Sequence, residues 1–333
     1  MPEDMIVIDA LQYVNWDRES FLEARDSGIH TIHVTVVYWE NIRETLENIG
    51  KWHRHFINNA DVILQVRNAD DVTRAKREGK VGIVFGFQNC SPIEDDVRMV
   101  QILHELGVRF MQLTYNNQSP LATGCYESAD SGVTRFGKEV IKEMNRVGMV
   151  VDMSHSAEKS TLEAMELSER PIAITHANPE FFEPALRNKS NTVLKALGES
   201  GGMLGFSLYP FHLKDGSDCK LEDFCAMVRE TADLMGIDHI GIGSDLCQKW
   251  DYTTLEWMRS GRWTIDPDFG EGSSSKPEWP RQPTWFEGSK DIMNIASGLS
   301  DAGFADDEVA KVMGGNWYAF FEKSFGPSSK AVT

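Results

Sequence analysis

The sequence predicts a (β/α)8 TIM barrel, an α/β fold in which eight parallel strands alternate with helices. Three observations support this prediction. Eight short runs of apolar, largely β-branched residues recur along the chain. Amphipathic patterns, with apolar residues at spacings of three and four, separate most of these runs. Polar side chains directly follow several runs, as expected where the strands of a barrel end at its active face.

The first half of the chain contains four predicted strands, at residues 6–11, 31–37, 80–87 and 109–114. A helix from about Arg18 to Gly28 follows the first strand, and a short strand and helix between residues 61 and 79 precede the third. An apolar face with spacing i, i+3, i+4 and i+7 starts at Met99, and Gly107 ends that helix.

The second half contains the other four predicted strands, at residues 149–153, 171–175, 202–207 and 239–243. The helix from Glu158 to Glu169 stops just before Pro171, because proline cannot continue a helix. Two further helical patterns, around residues 292–299 and 309–321, are predicted to pack on the outside of the barrel. Residues 1–333 are therefore predicted to form a single barrel domain.

The segment from Cys247 to Gln282 interrupts the alternation. It is rich in Trp, Gly, Ser and Pro, and we predict a long irregular insertion there. The sequence leaves open whether this segment is a lid over the site, a subunit contact or a simple surface insertion. The loop from Asn116 to Val133 is also long enough to cover an active site.

The charge of the chain limits its partners. Asp and Glu outnumber Lys and Arg by 51 to 33, and the net charge of −18 opposes binding to nucleic acid or to an anionic membrane face. No apolar run approaches the length of a membrane span, and the first residues lack a basic leader with an apolar core. We therefore expect a cytoplasmic protein with small-molecule partners. Five cysteines without a CxxC spacing indicate neither a disulfide framework nor a thiolate zinc site.

Two histidines stand at matching points of consecutive strand and helix units. His155 follows the fifth strand and His176 the sixth, each directly after a small hydroxyl residue. Because neighbouring parallel strands end side by side, both imidazoles are within reach of one metal ion. Each histidine alone is compatible with an ordinary hydrogen-bonded role, but the repeated position favours a shared site. Gln88, Tyr115 and Asp245 end or follow three other strands and are expected at the same end of the barrel.

With these strand ends placed, the chain resembles the membrane dipeptidase (renal dipeptidase) family of zinc-dependent barrel hydrolases over nearly its whole length. Residues 132–155, GVTRFGKEVIKEMNRVGMVVDMSH, are particularly close to that family's pattern. Four shorter motifs are also similar: Thr175-His176, Arg187-Asn188, Gly243-Ser244-Asp245 and the GGNW sequence at 314–317.

The resemblance implies a metal-dependent hydrolase that cleaves a dipeptide, or another small amide with a carboxylate, at a two-zinc site. His155 and His176 match ligands of the second zinc, and Asp245 matches the residue that handles protons. Arg187 matches the residue that holds the substrate carboxylate. Tyr115 stands where the family has a histidine that contacts the substrate, and Asn188 is the other expected substrate contact. The family also implies a homodimer.

The departures from the family all fall on the other half of the implied site. Leu11 and Tyr13 stand where the family has a His-x-Asp ligand pair, and Gln88 stands where it has a bridging glutamate. Two divalent ions held a few ångströms apart need anionic ligands to offset their repulsion. We therefore expect one zinc ion, on His155 and His176 with help from Gln88, rather than two.

Two hypotheses stay open at this level. In the first, the protein is a metal-dependent hydrolase with one zinc ion. In the second, it is a catalytically altered or inactive barrel, without metal, that binds a small carboxylated ligand. The first hypothesis is favoured by the joint presence of His155, His176, Arg187 and Asp245. The second is favoured by the family ligands that are lost at Leu11, Tyr13 and Gln88. His33, near the end of the second strand, is either a substitute ligand or a core histidine.

Overall fold

A single parallel sheet organises the computed structural model, which describes residues 4–262, 264–265 and 278–326. Its strands are β1 (Ile8–Val14), β2 (Thr31–Val37), β3 (Ile63–Gln65), β4 (Val81–Phe87), β5 (Val108–Gln112), β6 (Val150–Asp152), β7 (Ala173–Ile174), β8 (Met203–Phe206), β9 (Ile240–Ile242) and β10 (Leu246–Gln248). The order is β10-β1-β2-β4-β5-β6-β7-β8-β9, and β3 pairs with β4 outside this path.

The barrel closes through β9 and β10, which are consecutive stretches of its eighth strand. β9 pairs with β8, whereas β10 pairs with β1 in the register Gln12 to Leu246. Between them, the backbone N–H of Asp245 donates to the Leu11 carbonyl at 3.0 Å. The predicted (β/α)8 fold is therefore confirmed, and each of the eight predicted strands overlaps a strand of the barrel.

Twelve α-helices accompany the strands in the described part of the chain: α1 (Arg18–Asp26), α2 (Ile42–Asn58), α3 (Ala69–Arg77), α4 (Met99–Glu105), α5 (Arg135–Val147), α6 (Glu158–Leu167), α7 (Asn191–Glu199), α8 (Leu221–Met235), α9 (Tyr252–Ser260), α10 (Ile292–Asp301), α11 (Asp306–Ala310) and α12 (Asn316–Ser324). Local chemistry fixes their ends. Asn41 and Glu44 form a reciprocal capping box at the start of α2. Gly148 ends α5 with a φ of 85°, a conformation that favours glycine.

The interior of the barrel is apolar at one end and polar at the other. Side chains that alternate along the strands form an apolar cluster with α12, which includes Ile8, Val84, Phe110, Val150, Ala173, Met203 and Trp317. The chain just before α12 lies against the start of β1, since a Cβ on Gly314 would be 2.5 Å from the Ile6 carbonyl oxygen. The predicted position of the last helix on the barrel's outside is therefore wrong, because α12 fills this end of the barrel. The opposite, C-terminal end is left for polar side chains.

The segment 247–282 is more regular than the sequence suggested. It contains the helix α9, capped by the Asp251 side chain, which accepts from Thr254 N–H. Residue 263 and residues 266–277, which belong to the predicted insertion, lie outside the described residues. The sequence analysis also did not single out α7, which lies between β7 and β8.

Candidate active site

His155 and His176 meet at the C-terminal end of the barrel. His155 lies three residues beyond β6, and His176 lies two residues beyond β7. Both are buried, and their Nε2 atoms are 3.0 Å apart. The predicted juxtaposition of these two side chains is therefore what the fold produces.

The other ring nitrogen of each histidine carries the proton. His155 Nδ1 lies 2.5 Å from Asn116 Oδ1, and an amide oxygen can only accept. His176 Nδ1 lies 2.9 Å from Thr175 Oγ1, whose own hydrogen goes to the Asp152 carboxylate at 2.6 Å. Thr175 must therefore accept from His176. In their neutral forms, both histidines keep a lone pair on Nε2.

Gln88 adds a third lone pair at the same point. Its Nε2 donates to Thr35 Oγ1 and to Tyr38 Oη, both at 2.8 Å, which turns its Oε1 toward His155 Nε2 at 2.9 Å. Burial lowers the pKa of both histidines well below the usual value, and the Arg187 guanidinium lowers it further. Protonation of either ring is thus disfavoured. Three acceptors converge without a donor between them, an arrangement that a bound cation would stabilise.

These donors fit one zinc ion. The described residues contain no group of three or more His, Cys, Asp and Glu side chains arranged to hold a metal. Two imidazoles and an amide oxygen supply three neutral donors, which suits a single zinc with an open fourth position. They supply no negative charge to hold a second ion nearby.

The positions that match the family's other ligands hold no metal-binding group. Leu11 is fully buried. Tyr13 stacks on Trp250, with ring centroids 4.6 Å apart, and meets Tyr38 edge-on at 4.7 Å. Aromatic packing therefore occupies the β1 side of the barrel mouth.

His33 is a core histidine. Its Nδ1 lies 2.6 Å from the Ala10 carbonyl oxygen, and its ring stacks on Phe110 in the apolar interior. A Cβ at Gly86 would be 1.7 Å from His33 Nε2, so only glycine leaves room for this ring. Gly86 and Gln88 are two residues apart and therefore lie on the same face of the chain, with Gly86 further from the barrel mouth. His33 packs against Gly86, so it lies one layer deeper than the active-site histidines. Burial lowers the pKa of His33 to about 4.

Asp245 faces the pocket from the turn between β9 and β10. Its φ of 56° is unusual for a residue other than glycine, and the Asp9 carboxylate holds the turn by accepting from the Ser244 N–H and hydroxyl. Burial raises the pKa of Asp245 to about 7; the charge of Arg187 opposes this rise, and that of Asp9 adds to it. Its carboxylate has no hydrogen-bond partner among the described residues.

Arg187 and Lys189 hold the backbone around the histidines. Arg187 is buried and donates to the carbonyls of Ser154 and His176. The buried Lys189 ammonium donates to the Ser156 carbonyl at 2.8 Å, and burial lowers its pKa to about 8. These two side chains therefore fix the carbonyls on either side of His155.

The pocket above these groups is narrow, with a volume of about 50 Å³. Its lining includes Gln88, Tyr115, His155, Arg187 and Asp245, together with Met258 and Arg259 of α9. Tyr115 packs on the His155 ring, with ring centroids 4.2 Å apart. Part of the segment 247–282 thus lies over the site, which is the position that a lid would have.

Asn188, predicted as a substrate contact, is engaged elsewhere. Its Oδ1 accepts from Asn178 N–H, and its Nδ2 donates to the carbonyls of Glu183 and His212. It does not line the pocket. We therefore assign Asn188 to holding the loop that carries Arg187.

Sequence reasoning missed the residues that orient the histidines and Gln88, which are Asn116, Asp152, Thr35 and Tyr38. One signal was available. Asp152 is a carboxylate inside an otherwise apolar strand pattern, and such a residue needs hydrogen-bond partners when it is buried. The other three lie on strands or loops that are distant in sequence, so only the fold brings them to the site.

Comparison with known proteins agrees with this architecture. The pattern of the family described as membrane dipeptidase (peptidase family M19) matches residues 18–253. A dipeptidase of Claviceps purpurea is 25% identical over 283 residues, which are 84% of this chain and 60% of that relative's length. The chain thus spans less than two thirds of that relative.

Two solved structures are also similar. An amidohydrolase from Pseudomonas aeruginosa has 32% sequence identity and a TM-score of 0.92, with 97% of each chain covered. A metallopeptidase from Rhodobacter sphaeroides, bound to a phosphinate mimic of the dipeptide L-Ala-D-Ala, shares the fold with a TM-score of 0.79 at 18% identity, covering 96% of this chain and all of that one. Within the described ranges, no helix is long and apolar enough to cross a membrane.

Proposed function

Because this chain belongs to the membrane dipeptidase family, we propose that it hydrolyses the amide bond of a dipeptide or of another small amide that carries a carboxylate. The observation that supports this most directly is the convergence of three lone pairs, from His155, His176 and Gln88, at a pocket that Asp245 also lines. The dipeptide mimic bound by the Rhodobacter sphaeroides relative is in keeping with this substrate class.

His155, His176 and Gln88 are the residues that would hold one zinc ion. Zinc supplies Lewis acidity, which activates water for attack at neutral pH. The hydrogen bonds from Asn116 and Thr175 keep both Nε2 lone pairs available, and those to Thr35 and Tyr38 keep the Gln88 oxygen turned inward.

Asp245 moves the protons in this proposal. The oxygen of water attacks the amide carbon while one of its protons passes to the Asp245 carboxylate. When the C–N bond breaks, the same proton passes to the nitrogen of the leaving amine. A pKa of about 7 suits both transfers, since the group can accept and release a proton near neutral pH.

Arg187 and Tyr115 are proposed to bind the substrate. Arg187 uses two of its N–H groups on backbone carbonyls and still lines the pocket, and a guanidinium has five donors. Its remaining donors are suited to the substrate carboxylate. The Tyr115 ring forms the wall beside His155 and limits the width of the substrate.

Hydrolysis of a panel of unmodified dipeptides, followed by release of free amino acids, tests this proposal. We expect turnover that requires zinc and is lost in the His176→Ala variant. The His53→Ala variant is the matched control, because His53 is exposed on α2. Absence of hydrolysis by the zinc-loaded protein across the panel would contradict the proposal.

A specific observation favours a second candidate function. Leu11 is buried and Tyr13 is packed between two aromatic rings, so the β1 side of the mouth supplies no metal ligand. A barrel of this kind can bind a carboxylated ligand at Arg187 without cleaving it. Dipeptide binding by calorimetry without product formation would select this alternative.

Assembly and location are further parts of the proposal. We infer a cytoplasmic homodimer, based on the family resemblance and on the sequence composition. Light scattering in solution should give twice the mass of one chain, and a mass equal to one chain would contradict the dimer.

A further inference from the structure

A second cavity lies beside the active-site pocket, on the side of the barrel mouth formed by β1 and β2. Its volume is about 530 Å³, roughly ten times that of the pocket at the histidines. Six aromatic side chains line it: Tyr13, Trp16, Tyr38, Trp52, Trp250 and Trp257. We call it the aromatic cavity. Its rings come from β1 and the chain that follows it, from the residue after β2, from α2, and from the segment around α9.

Glu40 supplies a carboxylate to the wall of the aromatic cavity. Its Oε2 accepts from the backbone N–H groups of Tyr38 and Trp39, and its Oε1 accepts from Asn48 Nδ2. Within the described ranges it forms no ion pair with a basic side chain. Burial raises the pKa of Glu40, and these hydrogen bonds oppose that rise. A cation in the cavity would stabilise the ionised form of this carboxylate.

Two basic side chains also line the cavity. The Lys51 ammonium is exposed and donates to Asn48 Oδ1 at 3.1 Å, so solvent screens its charge. Burial lowers the pKa of His55, which keeps this imidazole neutral at pH 7. Neither residue therefore cancels the negative electrostatic potential that Glu40 and the ring faces create within the cavity.

We propose that the aromatic cavity binds a small organic cation of the quaternary ammonium class. The negative faces of tryptophan and tyrosine rings attract such a cation, and its alkyl groups bury against the same rings. In its ionised form, Glu40 adds a negative charge at the wall. An ordinary apolar core does not account for this arrangement, because the cavity is open enough to admit a ligand and four of its six rings are only partly buried.

The aromatic cavity is coupled to the active site through one layer of hydrogen bonds. Thr35 and Tyr38 line the cavity, and their hydroxyl groups accept the two hydrogen bonds that orient Gln88. A ligand in the cavity would therefore contact the groups that orient Gln88. The inference goes beyond the proposed function and does not depend on zinc or on hydrolysis.

Calorimetric titration with choline and with its neutral carbon analogue, 3,3-dimethyl-1-butanol, tests the proposal on the unmodified full chain. The two probes have nearly the same shape and differ in charge. We expect choline to bind about ten-fold more tightly, since cation–π attraction at a desolvated site is worth about 1–2 kcal/mol. Equal affinities, or no detectable binding of choline, would overturn the proposal.

Three variants locate the binding site. Trp257→Leu removes one ring, Glu40→Gln removes the charge, and Tyr252→Leu is the control because Tyr252 is an exposed aromatic residue on the same helix as Trp257. We expect the first two variants to weaken choline binding by about five-fold each, and the control to leave it unchanged. Equal losses in the control and in Trp257→Leu would contradict a site in the aromatic cavity. A variant that fails to fold leaves the two-probe comparison as the deciding measurement.

Discussion

The two active-site histidines differ from the buried histidine His33 in where their free lone pairs lie. The Nδ1 of His33 meets the Ala10 carbonyl, and its Nε2 lies without a hydrogen-bond partner against Gly86 in the core. In His155 and His176, separate acceptors fix the protons on the outer nitrogens, so the inner lone pairs face each other at 3.0 Å. Asp152 is central to this arrangement because it takes the hydroxyl proton of Thr175.

Gln88 should control zinc affinity. In the Gln88→Glu variant, the hydroxyl groups of Thr35 and Tyr38 can rotate to donate to the new carboxylate, so the fold is retained while the site gains a negative ligand. We expect zinc to bind at least about ten-fold more tightly in this variant, and more weakly in Gln88→Leu. Competition with a fluorescent zinc chelator measures both. An unchanged zinc affinity in both variants would show that residue 88 is not a zinc ligand.

Asp245 should destabilise the metal-free protein above neutral pH. Its pKa is about 7 in the folded state and lies near 4 in the unfolded chain, so its favourable contribution to folding is present below about pH 4 and is lost as pH rises to about 7. The cost at pH 8 is up to about 4 kcal/mol, at about 1.4 kcal/mol for each pKa unit. We expect the Asp245→Asn variant, in a chelator, to melt at a higher temperature than the parent at pH 8.

The same comparison at acid pH is the control for Asp245. The difference in melting temperature should shrink as pH falls toward 4, because the parent then has a protonated carboxyl. A constant difference at all pH values would contradict a raised pKa.

Single residues could be predicted from the sequence where a strand end fixes their position. His155, His176 and Asp245 each lie two or three residues beyond a strand, and the fold brings them to one end of the barrel. Asn116 and Tyr38 could not be predicted, since their roles depend on how two loops cross the barrel mouth. Asn188 was placed by the family match alone, and its hydrogen bonds within the loop were not visible in the sequence.

At the scale of elements, α9 is the part of the chain that the sequence described least well. Its residues, YTTLEWMRS, include β-branched and aromatic types with modest helix propensity, and the surrounding Gly, Ser and Pro suggested irregular chain. Asp251 was the available start signal, as an N-cap residue. The barrel strands were easier to predict because their apolar runs recur along the chain and most are separated by amphipathic helical patterns.

The helix α9 should control access to the active site. Met258 lines a pocket of only about 50 Å³, which is too small for a dipeptide unless α9 moves. In the Met258→Trp variant, we expect loss of dipeptide hydrolysis with unchanged zinc content. The Glu256→Trp variant is the control, because Glu256 is exposed on the same helix. Full activity in Met258→Trp would contradict a covering role for α9.

At the scale of the whole molecule, the two ends of the barrel have different roles, one in stability and the other in chemistry. Trp317 and its apolar neighbours fill one end, whereas the histidines, Gln88 and Asp245 occupy the other. The mouth is itself divided, with His155 and His176 on the β6 and β7 side and aromatic rings on the β1 and β2 side. The family resemblance predicted the side of the mouth that carries the two histidines. The departures at Leu11 and Tyr13 indicated that the β1 side differs from the family's ligand pattern.

His155, His176 and Gln88 are proposed to hold one zinc ion. Elemental analysis of the full chain, after dialysis against zinc and removal of free metal, tests it most directly. We predict one equivalent of zinc per chain in the parent, and a loss of that zinc in the His155→Ala variant. No bound zinc, two equivalents per chain, or one equivalent that persists in His155→Ala would contradict the claim.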